Sequence, residues 1–499
     1  MALWRCLKNH IVSFNLLISA IHFFKESTAM SVNQLSLTQL SVALAKGELK
    51  PSTLVKSYYD AYCAQQDLNA YVEFFEDALE LAQVLDTQRP TGHPLWAMPG
   101  AIKDNFSVKN RYLSCASQML ANYVSPYTST LVQRLEEVNF INLGRLNMDE
   151  FAMGATGRYS VHGPTLNPLD KMRVPGGSSS GSASAVAAHT TAFALGSDTG
   201  GSSRLPASYT GVCGFKPSHG ALSRYGLTAF APSLDVPGIL AQTPADIAMV
   251  FHALAGVDTF DESTRSVNIT ALAPIQPLSL KGVKIASFSS LMKRADISVQ
   301  VAYAKAEAWF VAQGAVLKEV ELGFEDTLLR TYYAICCSEA ASSLARFDGA
   351  RYGLKLQADT IEELFCQTRH DGFGHEVRRR ILLGNYFLKE ENYDQWYNKA
   401  AHIRNALRER IIEIAQNGCQ LFLWPGFHEA SPIDAPPVDS YTSDLVGVLA
   451  NLFGGPALAM PIHSGEAGLP VSVQLSGVWG SDAQVLQAGS QLYTDLAWR

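Results

Sequence analysis

The stretch from Pro175 to Arg204, PGGSSSGSASAVAAHTTAFALGSDTGGSSR, carries two glycine–serine knots. In the second, Gly200-Gly201-Ser202 follows the acidic turn Ser197-Asp198-Thr199. Adjacent glycines open backbone conformations closed to other residues and bring N–H groups close to a ligand. Aimed at developing negative charge, such N–H groups form an oxyanion hole, where one donor is worth about 3–4 kcal/mol. A serine directly after them is placed to attack a carbonyl that they hold, once a base takes its proton.

Other readings of the stretch fit less well. A flexible Gly/Ser linker would not contain AVAAHTTAFALG, which supplies helix-forming alanines and a buried apolar turn. Gly177-Ser178-Ser179-Ser180-Gly181 matches the G-x-S-x-G nucleophile elbow with Ser179 at its centre. That elbow needs an apolar strand before it, and the residues before it are the polar, proline-bounded NPLDKMRVP. Ser290-Leu291-Met292-Lys293 matches S-x-x-K but lacks the companion motifs S-D-N and K-T-G.

The elements that must position these serines follow from hydropathy patterning. SLTQLSVALAKGELKPSTLVKSYYDAYCAQ spaces apolar residues three and four apart, predicting two amphipathic helices broken near Gly47 and Pro51. HPLWAMPGAIKDNFSV reads as a short strand running into a loop at Lys103-Asp104, and FINLG as a buried strand. Residues 283–289, 314–322, 418–426 and 469–479 are further strand candidates rich in β-branched residues. Helical stretches such as ADIAMVFHALAG, VQVAYAKAEAWFVAQ and YDQWYNKAAHIRNALRERIIEIAQ alternate with them. The alternation predicts an α/β fold with a mixed sheet covered on both faces. No repeat or linker divides the chain, which reads as one large domain over residues 30–499.

Composition sets the outer bounds. With 47% hydrophobic and 17% charged residues in 499, the chain is globular rather than disordered. A net charge of −7 is not that of a basic nucleic-acid surface, so any RNA contact is local or made by a partner. Eight scattered cysteines without a C-x-x-C pair read as reduced thiols in a cytosol-like compartment. Residues 1–29 hold Arg5, Lys8 and the apolar run IVSFNLLISAIHFF, whose fourteen residues are too few for a membrane span. No small-x-small cleavage site follows Phe24. This segment reads as an N-terminal extension, either a targeting segment or a non-native start ahead of Met30.

The run PGGSSSGSASAVAAHTTAFALGSDTGGSSRLPASYTGVCGFKPS, with the earlier PGAIKDNF, resembles the amidase signature family. The resemblance implies that family's fold, a large mixed central β-sheet with helices on both faces, and its Ser–cis-Ser–Lys triad. Carried over by position, the nucleophile is Ser202, the bridging serine Ser178 and the base Lys103, with the amides of Thr199, Gly200, Gly201 and Ser202 as oxyanion hole. Ser180 departs from the pattern, since many members have glycine there. Further segments, NMDEFAMGATGRYSVHGPTLNPLD, SRYGLTAFAPSLDVPGILAQTPADIA and EVRRRILLGNYFL, resemble the branch of glutamine-hydrolysing subunits of tRNA-dependent amidotransferases, from about residue 36 to the C-terminus.

That branch implies hydrolysis of glutamine, whose ammonia a partner uses to amidate Glu-tRNA(Gln) or Asp-tRNA(Asn). Its glutamine-binding residues fall on Tyr333, Arg380 and Asp444, with Arg379 as a one-residue alternative to Arg380. An arginine can hold the α-carboxylate bidentately and an aspartate can receive the α-ammonium. As base, Lys103 must be neutral. Lowering its pKa from about 10.4 to near 7 takes about 4–5 kcal/mol of differential stabilisation, within reach of burial. Ala101 and Ile102 fit a dry site, and Asp104 is expected to point away. The sequence has no H-E-x-x-H and no G-x-x-x-x-G-K-[ST] phosphate loop. No cofactor is expected in this chain. ATP and Mg²⁺ fall to the complex, a heterotrimer made with a tRNA-binding subunit and a small third subunit. The expected location is the cytoplasm, with the mitochondrial matrix as the alternative. A stand-alone amidase acting on small amides and a catalytically silent scaffold are the competing readings.

Overall fold

The computed structural model describes residues 31–292, 295–434 and 441–498. The segment 1–29, read above as an extension, lies outside them. Eleven strands form one sheet: β1 (Tyr71–Phe74), β2 (Pro99–Lys103), β3 (Ile141–Leu146), β4 (Phe193–Asp198), β5 (Cys213–Lys216), β6 (Val236–Ala241), β7 (Lys284–Ser287), β8 (Val316–Glu319), β9 (Cys419–Pro425), β10 (Ala457–Ser464) and β11 (Pro470–Gly477). Their order is β1-β3-β2-β4-β6-β5-β10-β11-β9-β7-β8. The sheet is mixed. β2 runs parallel to β3 and β4, and β7 parallel to β8 and β9, while the middle strands pair antiparallel.

Helices cover both faces. In β9, Leu421 and Leu423 join one apolar core and Phe422 and Trp424 the other, the two-residue alternation of a strand packed on both sides. The first core takes in the helices Leu37–Ala45, Pro51–Ala64, Pro244–Leu254 and Asp482–Leu496. The second takes in Glu325–Ser343, His375–Leu388, Lys399–Gln416 and Tyr441–Phe453. The N-terminal helix pair falls where the spacing predicts. Ser36 and Gln39 close a capping box ahead of the first helix, and Pro51 opens the second.

The candidate windows at 283–289, 314–322, 418–426 and 469–479 contain β7, β8, β9 and β11. Patterning does not find β1, β4, β5, β6 or β10, and it reads the residues of β4 as an apolar turn. β6 reads VPGILA and β10 contains Pro461, which stands at a shift in the β10–β11 register. Proline and glycine argue against strand interiors unless a bulge or edge absorbs them. Among the described residues no helix is long and apolar enough to cross a membrane.

For the site, the decisive feature is the parallel pair β2 and β4. All five residues of β2 and all six of β4 are buried. Their carboxyl ends therefore share one edge of the sheet, delivering Lys103 from one strand and Ser197-Asp198 from the other. In open α/β sheets that edge is where ligands bind.

Candidate active site

At the end of β2 the Lys103 ammonium group is fully buried, with Nζ 2.8 Å from Ser178 Oγ, 3.0 Å from Ser179 Oγ and 2.8 Å from Ser197 Oγ. Burial lowers its pKa from 10.5 to about 7, opposed by the charges of Asp149, Asp198 and Asp235. The neighbouring Asp104 does not neutralise it, because that carboxylate is taken by Arg145 at 2.5 Å and by the Ser114 hydroxyl.

Hydrogen-bond accounting distinguishes the three hydroxyls. A neutral amine has two N–H donors and one lone pair. Ser179 donates its hydrogen to the Ser197 carbonyl at 3.2 Å, so it can only accept from the lysine. Ser197 Oγ accepts from Asn105 Nδ2 at 3.0 Å, which leaves its own hydrogen to give. Ser178 and Ser197 can thus each give a hydrogen to the lone pair, and of the two it is Ser178 whose neighbour Gly177 lines the cleft together with Ser202. Ser179, set aside as an elbow nucleophile, supports the lysine instead. Ser197 completes the lysine's shell, and Asn105 holds Ser197. Sequence reasoning passed over both, although their places at the strand end and directly after Lys103-Asp104 are a usable signal.

The two serine knots are tied together. The Ser179 N–H donates to the Ser202 carbonyl at 3.0 Å. Ser178 and Ser179 precede the short helix Ser180–Ala187, which returns into β4 and so closes the loop between the knots. The peptide Gly177–Ser178 is cis. Ser180, the departure from the family pattern, is buried and bonds Thr165 Oγ1 at 3.1 Å. Ser290 of the S-x-x-K match bonds Glu325 instead, and Lys293 lies outside the described residues.

Behind the second knot lies a charged hub. Asp198 and Arg204, both at 0% exposure, pair through Nη2–Oδ1 at 2.9 Å and Nε–Oδ2 at 3.1 Å. Asp198 also accepts the N–H groups of Gly201 at 2.9 Å and Ser203 at 3.1 Å. Gly201, with φ +112°, takes a shape that other residues resist. Its amide departs from the expectation for an oxyanion donor, because Asp198 already holds it. Thr199 turns its hydroxyl to Asp235 at 2.6 Å.

In front of the knots lies a narrow cleft of about 50 Å³, lined by Gly177, Gly200, Gly201, Ser202, Tyr332, Tyr333, Arg380 and Phe427, among others. Ser202 is only part-buried there, while Ser178 is fully buried beside the lysine. Arg380 is 7% exposed, its Nε bonding Glu376 at 2.7 Å and its guanidinium lying 5.6 Å from the Tyr333 ring centre. Arg379 shares Glu376 but its side chain is 45% exposed and not at the cleft, so the register puts Arg380 on the site. Asp444 stands in the first turn of the helix Tyr441–Phe453, and its side chain lies outside the described residues. That helix reaches the cleft through Val448.

Asp149 backs the first knot. It is buried, accepts the N–H groups of Gly157 and Tyr159 at 3.1 and 3.0 Å, and burial pushes its pKa up to about 6. A Cβ at Gly177 would stand 1.9 Å from Asp149 Oδ2. Gly177→Ala is therefore expected to displace Ser178 from Lys103 and to lower kcat for amide hydrolysis by ~10²-fold. Steady-state kinetics beside a thermal melt checks this. Unchanged kcat in a folded variant would refute the fit.

Comparison with known proteins agrees with this geometry. The Amidase family model matches residues 53–486. The A-subunit of the Treponema denticola glutamyl-tRNA(Gln) amidotransferase is 38% identical over 477 residues, covering 91% of this chain and 98% of that protein. The corresponding A-subunit of Chlamydia pneumoniae is 40% identical over 466 residues, covering 91% and 94%. Among solved structures, the Thermotoga maritima glutamyl-tRNA(Gln) amidotransferase A-subunit superposes with a TM-score of 0.76 at 31% identity, covering 93% of this chain and 95% of that one. The peptide amidase of Stenotrophomonas maltophilia gives 0.81 at 27% identity, covering 93% and 98%. A buried lysine on a serine at the carboxyl edge of the sheet, and relatives matched along nearly their whole length, have one explanation: the chain belongs to the amidase family.

Proposed function

We propose that this chain is the glutamine-hydrolysing subunit of a tRNA-dependent amidotransferase. The observation that carries the reading is the fully buried Lys103, its pKa lowered to about 7 by burial, 2.8 Å from a Ser178 hydroxyl whose proton it can accept. The curated relatives at 38–40% identity, named for that glutamyl-tRNA(Gln) amidotransferase, support the substrate class.

In the proposed cycle, neutral Lys103 takes the Ser178 proton while Ser178 takes that of Ser202, and Ser202 Oγ bonds to the glutamine amide carbon. The resulting oxyanion is met by the amides of Thr199, Gly200 and Ser202, with Gly201 serving only if it leaves Asp198. Collapse breaks the C–N bond, the proton returns through Ser178 to the leaving nitrogen, and ammonia departs. Water, deprotonated along the same relay, hydrolyses the glutamyl ester to glutamate and frees Ser202. Arg380 holds the α-carboxylate beside Tyr333, and Asp444 takes the α-ammonium.

The chemistry needs no cofactor in this chain. ATP and Mg²⁺ belong to the complex, in which a second subunit binds the tRNA and a small third one completes the heterotrimer. Residues 30–499 act as one catalytic unit, placed in the cytoplasm as the bacterial relatives suggest, or in a mitochondrial matrix. The tRNA-binding partner selects between Glu-tRNA(Gln) and Asp-tRNA(Asn).

The stand-alone amidase is the second reading, favoured by the 0.81 TM-score to a peptide amidase. One assay separates the two: glutamine hydrolysis by the chain with and without its two partners, ATP and misacylated tRNA. The expected result is glutamine use that rises on assembly. Partner-independent hydrolysis of varied amides with poor use of glutamine would overturn the first reading.

A further inference from the structure

Glu150 directly follows Asp149, yet its carboxylate serves a different element. Oε2 accepts the Gly374 N–H at 2.9 Å and Oε1 accepts the Ser117 hydroxyl. Gly374 is the residue from which the helix His375–Leu388 starts, so the bond satisfies an amide that the helix leaves unpaired. Negative charge is favoured there. The fit is close, since a Cβ at Gly374 would stand 2.3 Å from Glu150 Oε2. Glu150 is 6% exposed, and burial pushes its pKa up to about 7 against the pull of these bonds.

Two positions on from Glu150, Ala152 lines the cleft, and Phe151 and Ala152 hold positive φ of 49° and 62°. Six positions on from Gly374, the same helix brings Arg380 to the cleft. One dipeptide thus clasps both halves of the site. Asp149 abuts Gly177 beside the serine pair, and Glu150 grips the start of the arginine helix.

We propose that Glu150 is a positioning residue for glutamine recognition: its bond to the Gly374 amide sets the arginine helix against the serine loop. The substrate's α-carboxylate and its side-chain amide are then held at their sites together. This rests on the reading of Arg380 as the carboxylate ligand.

The test uses the full chain in its assembly with two substrates, glutamine and 4-aminobutanamide, which is glutamine without its α-carboxylate. Glu150→Ala is expected to raise the glutamine KM by ~10-fold or more with kcat little changed, and to leave 4-aminobutanamide hydrolysis as it was. Glu150→Gln should restore the glutamine KM. Its carbonyl can accept the Gly374 N–H, and its amide can donate to Ser117 Oγ, whose hydrogen then turns to the Gly372 carbonyl at 3.1 Å. Gly374→Ala, which leaves the carboxylate but spoils the fit, should give the same split should Glu150→Ala fail to fold. Equal loss on both substrates, or an unchanged glutamine KM while Arg380→Ala raises it, overturns the proposal and leaves the reading of Arg380 standing. An unchanged glutamine KM in Arg380→Ala overturns that reading and this proposal with it.

Discussion

Lys103→Ala and Ser202→Ala are each expected to lower kcat for glutamine by at least about 10⁴-fold, and the double variant to lose no more than either single one. The residues act on one proton path, so removing either end removes the whole path. Lys103→Arg should fare no better, because a guanidinium stays charged and offers no lone pair. The wild-type pH profile carries the second half of the prediction. Burial depresses the lysine's pKa to about 7 while nearby carboxylates oppose the shift. The competent form is the neutral one, so kcat/KM should rise with pH through about 7 and level off above it. The chain is then active at neutral pH, where an exposed lysine would be almost wholly protonated. Single-turnover glutaminase assays from pH 5.5 to 9 read both effects. A flat profile, or a Lys103→Ala variant within tenfold of wild type, would remove Lys103 from the mechanism.

Much of this site was legible in the sequence because its chemistry is written in short, contiguous segments. The second glycine–serine knot announces close backbone approach by composition alone, and the family resemblance carries the lysine and the serines to their numbers. Patterning also places the N-terminal helix pair and the strands β7, β8, β9 and β11. Its failures concern contacts that only the folded chain makes, whether across the sheet or within one turn. Ser197 meets Lys103 and Asn105 only because β2 and β4 lie side by side. The Gly201 amide looks like a free donor until Asp198, three residues back, folds onto it. β6 and β10 stay hidden for a related reason, since their prolines are tolerated by particular neighbours that the alternation rule does not see.

The lysine and the arginine are buried for different ends, and this distinction separates the catalytic apparatus from its support. Lys103 is buried among hydroxyls that leave it able to lose its proton. Arg204 is buried on a carboxylate that keeps both partners charged. Its other partners, Gln474, Asn451 and the Gly447 carbonyl, are neutral, so Asp198 is the counter-charge within its bonded shell.

Asp198→Asn should therefore destabilise the fold by about 3–5 kcal/mol, the loss typical when one partner of a buried pair is removed and the other is left uncompensated. Burial alone would raise the Asp198 pKa, but the charge and hydrogen bonds of Arg204, the Lys216 charge and the Gly201 N–H outweigh it and hold the group at about 2. A carboxyl depressed from 3.8 to about 2 adds stability that is fully present above pH 3.8 and is lost as the pH falls through 2. The asparagine variant should lack that part of the acid transition. Urea midpoints at pH 7, with the slope checked for constancy, measure the main effect. A loss under about 1 kcal/mol would show that the neutral ring of partners suffices for Arg204. The informative companion is Asp198→Asn with Arg204→Met, which removes both charges and should recover much of the stability. It should not recover activity, because the carboxylate also holds the N–H groups of Gly201 and Ser203 on either side of Ser202. A double variant that regained both would mean that the pair braces the core and not the loop. Stability regained without turnover would place the buried charge where the geometry puts it, under the nucleophile.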